Sequence, residues 1–88
     1  MSMTVWWYKL QVVDHQRIQM HKGAKVLSVQ VEDEDLNVWA LVDPSAEEID
    51  VSFRIAGTGH RIDNELIDAE FIDTVQINFG VVLHIWRL

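Results

Sequence analysis

Thr58, His60 and Arg61 bring a hydroxyl, an imidazole and a guanidinium together within four residues, with Gly57 before them and Gly59 between Thr58 and His60. Glycine tolerates positive φ and lets a partner approach the backbone closely, so this stretch can offer backbone amides and three side-chain donors to an anion. Arg54, on the strand pattern leading into the loop, could converge with Arg61 on the same anion even in an acidic chain. The plainer reading is a glycine turn that closes a hairpin or bulge and leaves His60 and Arg61 solvated.

The other chemistry-bearing residues point nowhere as specific. His15, His21, His60 and His84 are the only imidazoles, and no two have the i, i+4 spacing of a zinc helix, so no metal site is expected. Glu32-Asp33-Glu34-Asp35 lacks the glycine and terminal glutamate of a calcium loop and reads as a solvated hairpin tip. Ser2, Ser28, Ser45 and Ser52 show no nucleophile elbow, and no phosphate loop or dinucleotide fingerprint is present. Every paired carboxylate lies in a polar connection, where solvation is the default. A non-enzymatic protein without a cofactor is expected, since a sheet of this size would need a catalytic site formed between subunits.

Eighty-eight residues make one domain, in which only about 60–65% of the unfolded surface becomes buried. With 49% apolar and 24% charged residues, the chain can order throughout. It has no cysteine, which removes disulfides and thiolate zinc sites and suits a reducing compartment. No apolar run approaches the roughly 18 residues of a membrane helix, and the N-terminus lacks a signal-peptide pattern, so a cytoplasmic location is expected. Fourteen acidic against seven basic side chains give a net charge of −7. Binding to duplex nucleic acid is therefore disfavoured, and a basic protein is the easier macromolecular partner.

Seven segments read as strands. Residues 4–13 are β-prone, with Trp6, Tyr8 and Leu10 on one face and Trp7, Lys9 and Gln11 on the other. After a turn at Asp14-His15, residues 17–20 form a short return strand, and His21, Lys22 and Gly23 turn again. Residues 24–32 alternate, with Leu27, Val29 and Val31 inward and Val26, Ser28, Gln30 and Glu32 outward. Residues 36–43 are apolar on both faces, as in a central strand covered on both sides, and Asp43-Pro44 ends them. Ser45 and Glu48 have capping-box spacing, which predicts a short helical turn over 46–49.

Val51, Phe53 and Ile55 then form the buried face of the strand that enters the glycine loop. Residues 62–67 read as a helical turn or irregular connection. Residues 70–78 resume β character with Phe71, Val75 and Ile77 toward the core, and Gly80 turns the chain into a strand over 81–88 that belongs inside the sheet or against another chain. The result is an all-β antiparallel sandwich or a curved, barrel-like sheet. Trp7, Trp39 and Trp86 fall on the second faces of their strands, and so small a domain has little second layer to hide them. Aromatics left outside a monomer core anchor interfaces, so a homo-oligomer is expected through these three.

GAKVLSVQVE at 23–32, VWALVDP at 38–44 and FRIAGTGHRID at 53–63 resemble an uncharacterised family of small proteins encoded by phages and prophages. Where that family often carries proline after the histidine, this chain has Arg61, which leaves the loop less rigid and more cationic. The resemblance implies a genomic setting and no activity. In that setting, Arg54, Gly57, Thr58, Gly59, His60 and Arg61 would sequester a small anionic, nucleotide-like ligand as a counter-defence factor, with a tryptophan or Phe53 stacked on its base. The alternatives are an acidic module that inhibits a basic host nucleic-acid-binding protein, and a minor virion or assembly component.

Overall fold

The computed structural model describes residues 2–33, 35–62 and 64–88. Glu34 of the acidic connection and Asp63 at the end of the glycine-loop segment lie outside the described residues. Among the described residues there are seven strands: β1 (Thr4–Leu10), β2 (His15–His21), β3 (Lys25–Glu32), β4 (Asp35–Val42), β5 (Glu48–Gly57), β6 (Glu70–Gln76) and β7 (Val82–Arg87). They form two antiparallel sheets, ordered β1-β4-β3 and β2-β5-β7-β6, so the fold is a sandwich and not a closed barrel. An extent of 16 Å in the thinnest direction accommodates two sheets about 10 Å apart and no third layer.

Period-two alternation builds the core. Leu36, Val38, Ala40 and Val42 of β4 meet Val51, Phe53 and Ile55 of β5, with Leu10, Met20, Val29, Leu83 and Ile85 completing one cluster. β4 is central in its sheet and β7 interior in the other, as their apolar patterns imply. The expected cover on both faces of β4 is absent, however. Trp39 and Leu41 point outward and are only half-buried, because no layer lies beyond them.

Two bulges correct the side-chain assignments. The β3–β4 register shifts between Val26 and Ser28, which turns Leu27 outward to 49% exposure and packs Val26 against the core. The β6–β7 register shifts between Phe71 and Asp73, so Phe71 faces solvent and Ile72 packs inward. An extra residue in one strand reverses the alternation beyond it.

The expected helical turn over 46–49 does not form. The Asp43 carboxylate accepts from both the Ser45 amide and the Ser45 hydroxyl, at 2.9 and 2.6 Å. The serine is thereby held in an Asx turn and cannot cap a helix, and Glu48 opens β5 instead. β2 is also longer than expected, taking in His15 and His21 as strand residues. His21 Nδ1 lies 2.8 Å from the Ala46 carbonyl.

The sheets are tied at one edge, where the Val29 amide donates to Asp73 at 3.3 Å. Strand directions gather the connections at 11–14, 58–62 and 77–81 at one end of the sandwich: Gly57 pairs with Leu83, Gln76 with Val82, and the chain passes directly from Leu10 to β2.

Candidate binding face on the four-stranded sheet

The glycine loop is an ordered turn on the end of β5. The Thr58 amide donates to the Val82 carbonyl at 3.2 Å, and the His60 amide to the Gly57 carbonyl at 3.1 Å. The two glycines have different physical reasons. Gly59 has φ 84°, and a Cβ on Gly57 would sit 2.9 Å from His60 Cε1, so Gly59 meets a backbone demand and Gly57 a close approach by the imidazole. Thr58, Gly59, His60 and Arg61 are exposed. They lie together at the sandwich end, beside a groove of about 400 Å³ bounded by Gly57, Thr58, His60, Gly80 and Val81–Leu83.

Arg54 does not join them as a free cation. It is only 7% exposed, and its guanidinium donates to the Ile55 carbonyl while lying 3.9 Å from both Asp14 and Glu65 carboxylates. Burial of a guanidinium is costly unless it is paired; the two carboxylates supply the opposite charge, while among the described residues Nε is buried without a hydrogen-bond partner. Phe53 is likewise unavailable for stacking, since it is a core residue at 1% exposure.

The 3₁₀ turn Asn64–Leu66 explains why Arg54 is covered. Glu65 reaches Arg54, and Leu66 is buried without belonging to the main core. Ala56, in register with outward-facing His84, is also buried outside that core. The turn therefore folds over the β5 half of the outer face and leaves the β7–β6 half open.

On that open half, His84 is held from both sides. Its Nε2 lies 2.7 Å from Thr58 Oγ1 and its Nδ1 3.0 Å from Thr74 Oγ1. A hydroxyl can donate or accept, so either neutral tautomer satisfies both contacts. One row along, Trp86 meets Phe71 edge to face at 5.7 Å and His84 at 6.2 Å. The arrangement runs from loop donors through two hydroxyls and an imidazole to an aromatic ledge. It suits an anion joined to a flat ring.

His84, Thr74 and Phe71 were not legible as parts of this site. Alternation in VVLHIWRL puts His84 and Trp86 on one face, but their pairing with Thr74 and Phe71 depends on the β6 bulge. The three tryptophans expected at an interface divide between faces. Trp7 and Trp39 are cross-strand partners on the three-stranded sheet, and Trp86 lies on the other sheet. Among the described residues, Trp39 Nε1 is buried without a hydrogen-bond partner.

Among the described residues, no three His, Asp or Glu side chains are grouped to hold a metal ion. Nor is any helix among them long and apolar enough to cross a membrane. No curated protein and no solved structure matches the chain. A family model does match, over residues 1–88, and the chain belongs to the family it describes, "Domain of unknown function (DUF7352)".

Proposed function

We propose that this protein is a non-enzymatic binding module that holds a small anionic ligand with a flat ring, of nucleotide type, between the 57–61 loop and the Trp86–Phe71 ledge. The observation that carries this reading is the double engagement of His84, which links the loop residue Thr58 to Thr74 beside the ledge. Thr58, His60, Arg61 and the backbone at Gly57 and Gly59 face the anion, and Trp86 takes the ring. Arg54 supports the face from within. The phage-family resemblance of the sequence supplies only the setting in which such a module would act as a cytoplasmic counter-defence factor sequestering a nucleotide signal; the exposure of Trp7 supports a homo-oligomer.

Adding adenosine monophosphate, or a cyclic dinucleotide, to isotope-labelled protein should shift the Trp86 indole and the amides of residues 57–61. His60→Ala combined with Arg61→Ala should abolish those shifts with the melting temperature unchanged, because both side chains are exposed. Absence of shifts with either probe, or shifts indifferent to the double substitution, rejects the reading.

A second reading, a protein-interaction module, has its own observation. Phe79 is fully exposed at the same end of the sandwich, beside a groove it shares with Val12, Ile77 and Val81. In that case the loop substitutions are silent and Phe79→Ala weakens capture.

A further inference from the structure

The outer face of the three-stranded sheet is apolar over two of its rows and has no second layer above them. Strand register sets Val5, Leu41 and Lys25 in one row and Trp7, Trp39 and Ser28 in the next. Lys9, Asn37 and Gln30 follow, then Asp35 and Glu32. Val5 and Trp7 are each 53% exposed, and the β3 bulge adds Leu27. A scattered exposed Leu needs no explanation, but Val5, Trp7, Leu27, Trp39 and Leu41 clustered at one end of a sheet face do.

Charge says what covers it. On β3, Lys25 stands at one end of this face and Glu32 at the other, next to Asp33 and to Asp35 of β4. Lys9 is already paired with Asp35 at 3.0 Å, which leaves Lys25 without a carboxylate in its own row. A two-fold axis in the sheet plane and perpendicular to the strands reverses strand direction in a second copy. Each Lys25 then lies over the Gln30–Glu32 end of the other copy's β3, and Trp39 sits near the axis. A two-fold parallel to the strands would instead stack the acidic ends of two chains that each carry −7.

We infer that two copies of this chain pack face to face through β1-β4-β3 about the perpendicular axis, with Trp7 and Trp39 at the centre and reciprocal Lys25–Glu32 pairs at the ends. This rests on the homo-oligomeric part of the reading above and not on its ligand. Such an isologous contact needs one patch to complement itself end for end, which the charge gradient along β3 supplies. Three strands about seven residues long present a strip of roughly 14 by 24 Å. That is well below the ~800 Å² per partner of a standard interface, so the dimer is expected to be weak and concentration-dependent.

Sedimentation equilibrium from about 10 μM to about 1 mM, the range in which weak self-association is read, should follow a monomer–dimer equilibrium. Trp7→Lys and, separately, Leu27→Glu should each weaken it at least about tenfold with unchanged far-ultraviolet circular dichroism; both are exposed, so neither should unfold the domain. The chain has no cysteine, so introduced thiols can be read without background. Lys25→Cys with Glu32→Cys should oxidise to a covalent dimer, because those positions lie too far apart along one strand to bridge within a chain. Lys25→Cys with Val5→Cys, the pair a parallel axis would juxtapose, should not. A monomer throughout overturns the inference and the homo-oligomeric reading together. A dimer indifferent to Trp7→Lys and Leu27→Glu, or cross-linked only by the second pair, overturns this geometry and leaves the oligomer standing.

Discussion

Thr58 Oγ1 lies 2.7 Å from His84 Nε2, across 26 residues of sequence. The contact fastens the exposed glycine loop to β7, whose next outward residue is Trp86. A loop held this way presents its donors in one arrangement relative to the aromatic ledge, which would reduce the ordering cost of the binding proposed above.

Thr58→Val removes the hydroxyl and keeps the shape, so it isolates that fastening. Amide exchange at residues 58–61 should quicken, while the melting temperature moves little because the side chain is exposed. Thr74→Val, on the far side of His84, should leave loop exchange unchanged. Equal exchange in wild type and Thr58→Val would mean that the backbone bonds of the turn hold it unaided.

Burial ranks the large aromatics differently from the sequence pattern. Phe53→Ala deletes a fully buried ring and should cost roughly 3–5 kcal/mol. Trp39, half-covered on an open sheet face, should cost about 2–3 kcal/mol as Ala, and Trp7→Ala about 0.5 kcal/mol or less in the monomer. Trp39→Phe should cost below about 1 kcal/mol, since it also removes an indole donor that is buried without an acceptor. Urea unfolding of the four variants checks the order. A loss at Trp39→Ala exceeding that at Phe53→Ala would contradict it.

The legible part of this fold is the part set by uninterrupted alternation. Val51, Phe53 and Ile55, and Leu36, Val38, Ala40 and Val42, lie inside as their spacing implies. Leu27 and Phe71 were misplaced because each adjoins a bulge, and a bulge is decided by pairing with a distant strand, which periodicity does not encode. Ser45 was misread for a local reason: the Asp43 side chain competes for the same hydroxyl. In the candidate site, the loop was visible as glycine and donor chemistry. The partners of His84 were not, since Thr58 and Thr74 reach it only through tertiary register, and Arg54 reads in sequence as a ligand-facing cation because nothing local foretells the turn that covers it.

Phe79 has φ 62° and ψ 25° on the β6–β7 turn and is fully exposed. A bulky L-residue in the left-handed region costs about 1–2 kcal/mol, and no burial offsets it here. Phe79→Asn, whose short polar side chain tolerates this region, should raise stability by about 0.5–1 kcal/mol, or roughly 3–6 °C in melting temperature. A lowered melting temperature would show that the ring packs within the monomer after all.

The Ser45 hydroxyl, and after it the Ser45 amide, hold the Asp43 carboxyl below its ordinary value, against a smaller opposing effect of burial. A depressed carboxylate pKa means that the unfolded chain binds the proton more readily. The stabilisation is therefore complete above about pH 4, the unfolded carboxylate range, and is lost as pH falls through the folded value. Ser45→Ala removes the larger cause and should move the Asp43 titration upward, toward that ordinary range. The stability gap between wild type and Ser45→Ala should be constant near neutral pH and close on acidification. Side-chain carboxyl chemical shifts followed from pH 7 to pH 2 report the first effect, and thermal unfolding over the same interval reports the second. An Asp43 titration unchanged by Ser45→Ala would transfer the cause to the Ser45 backbone amide and the nearby His21, and a gap that widened in acid would reverse the sign of the linkage.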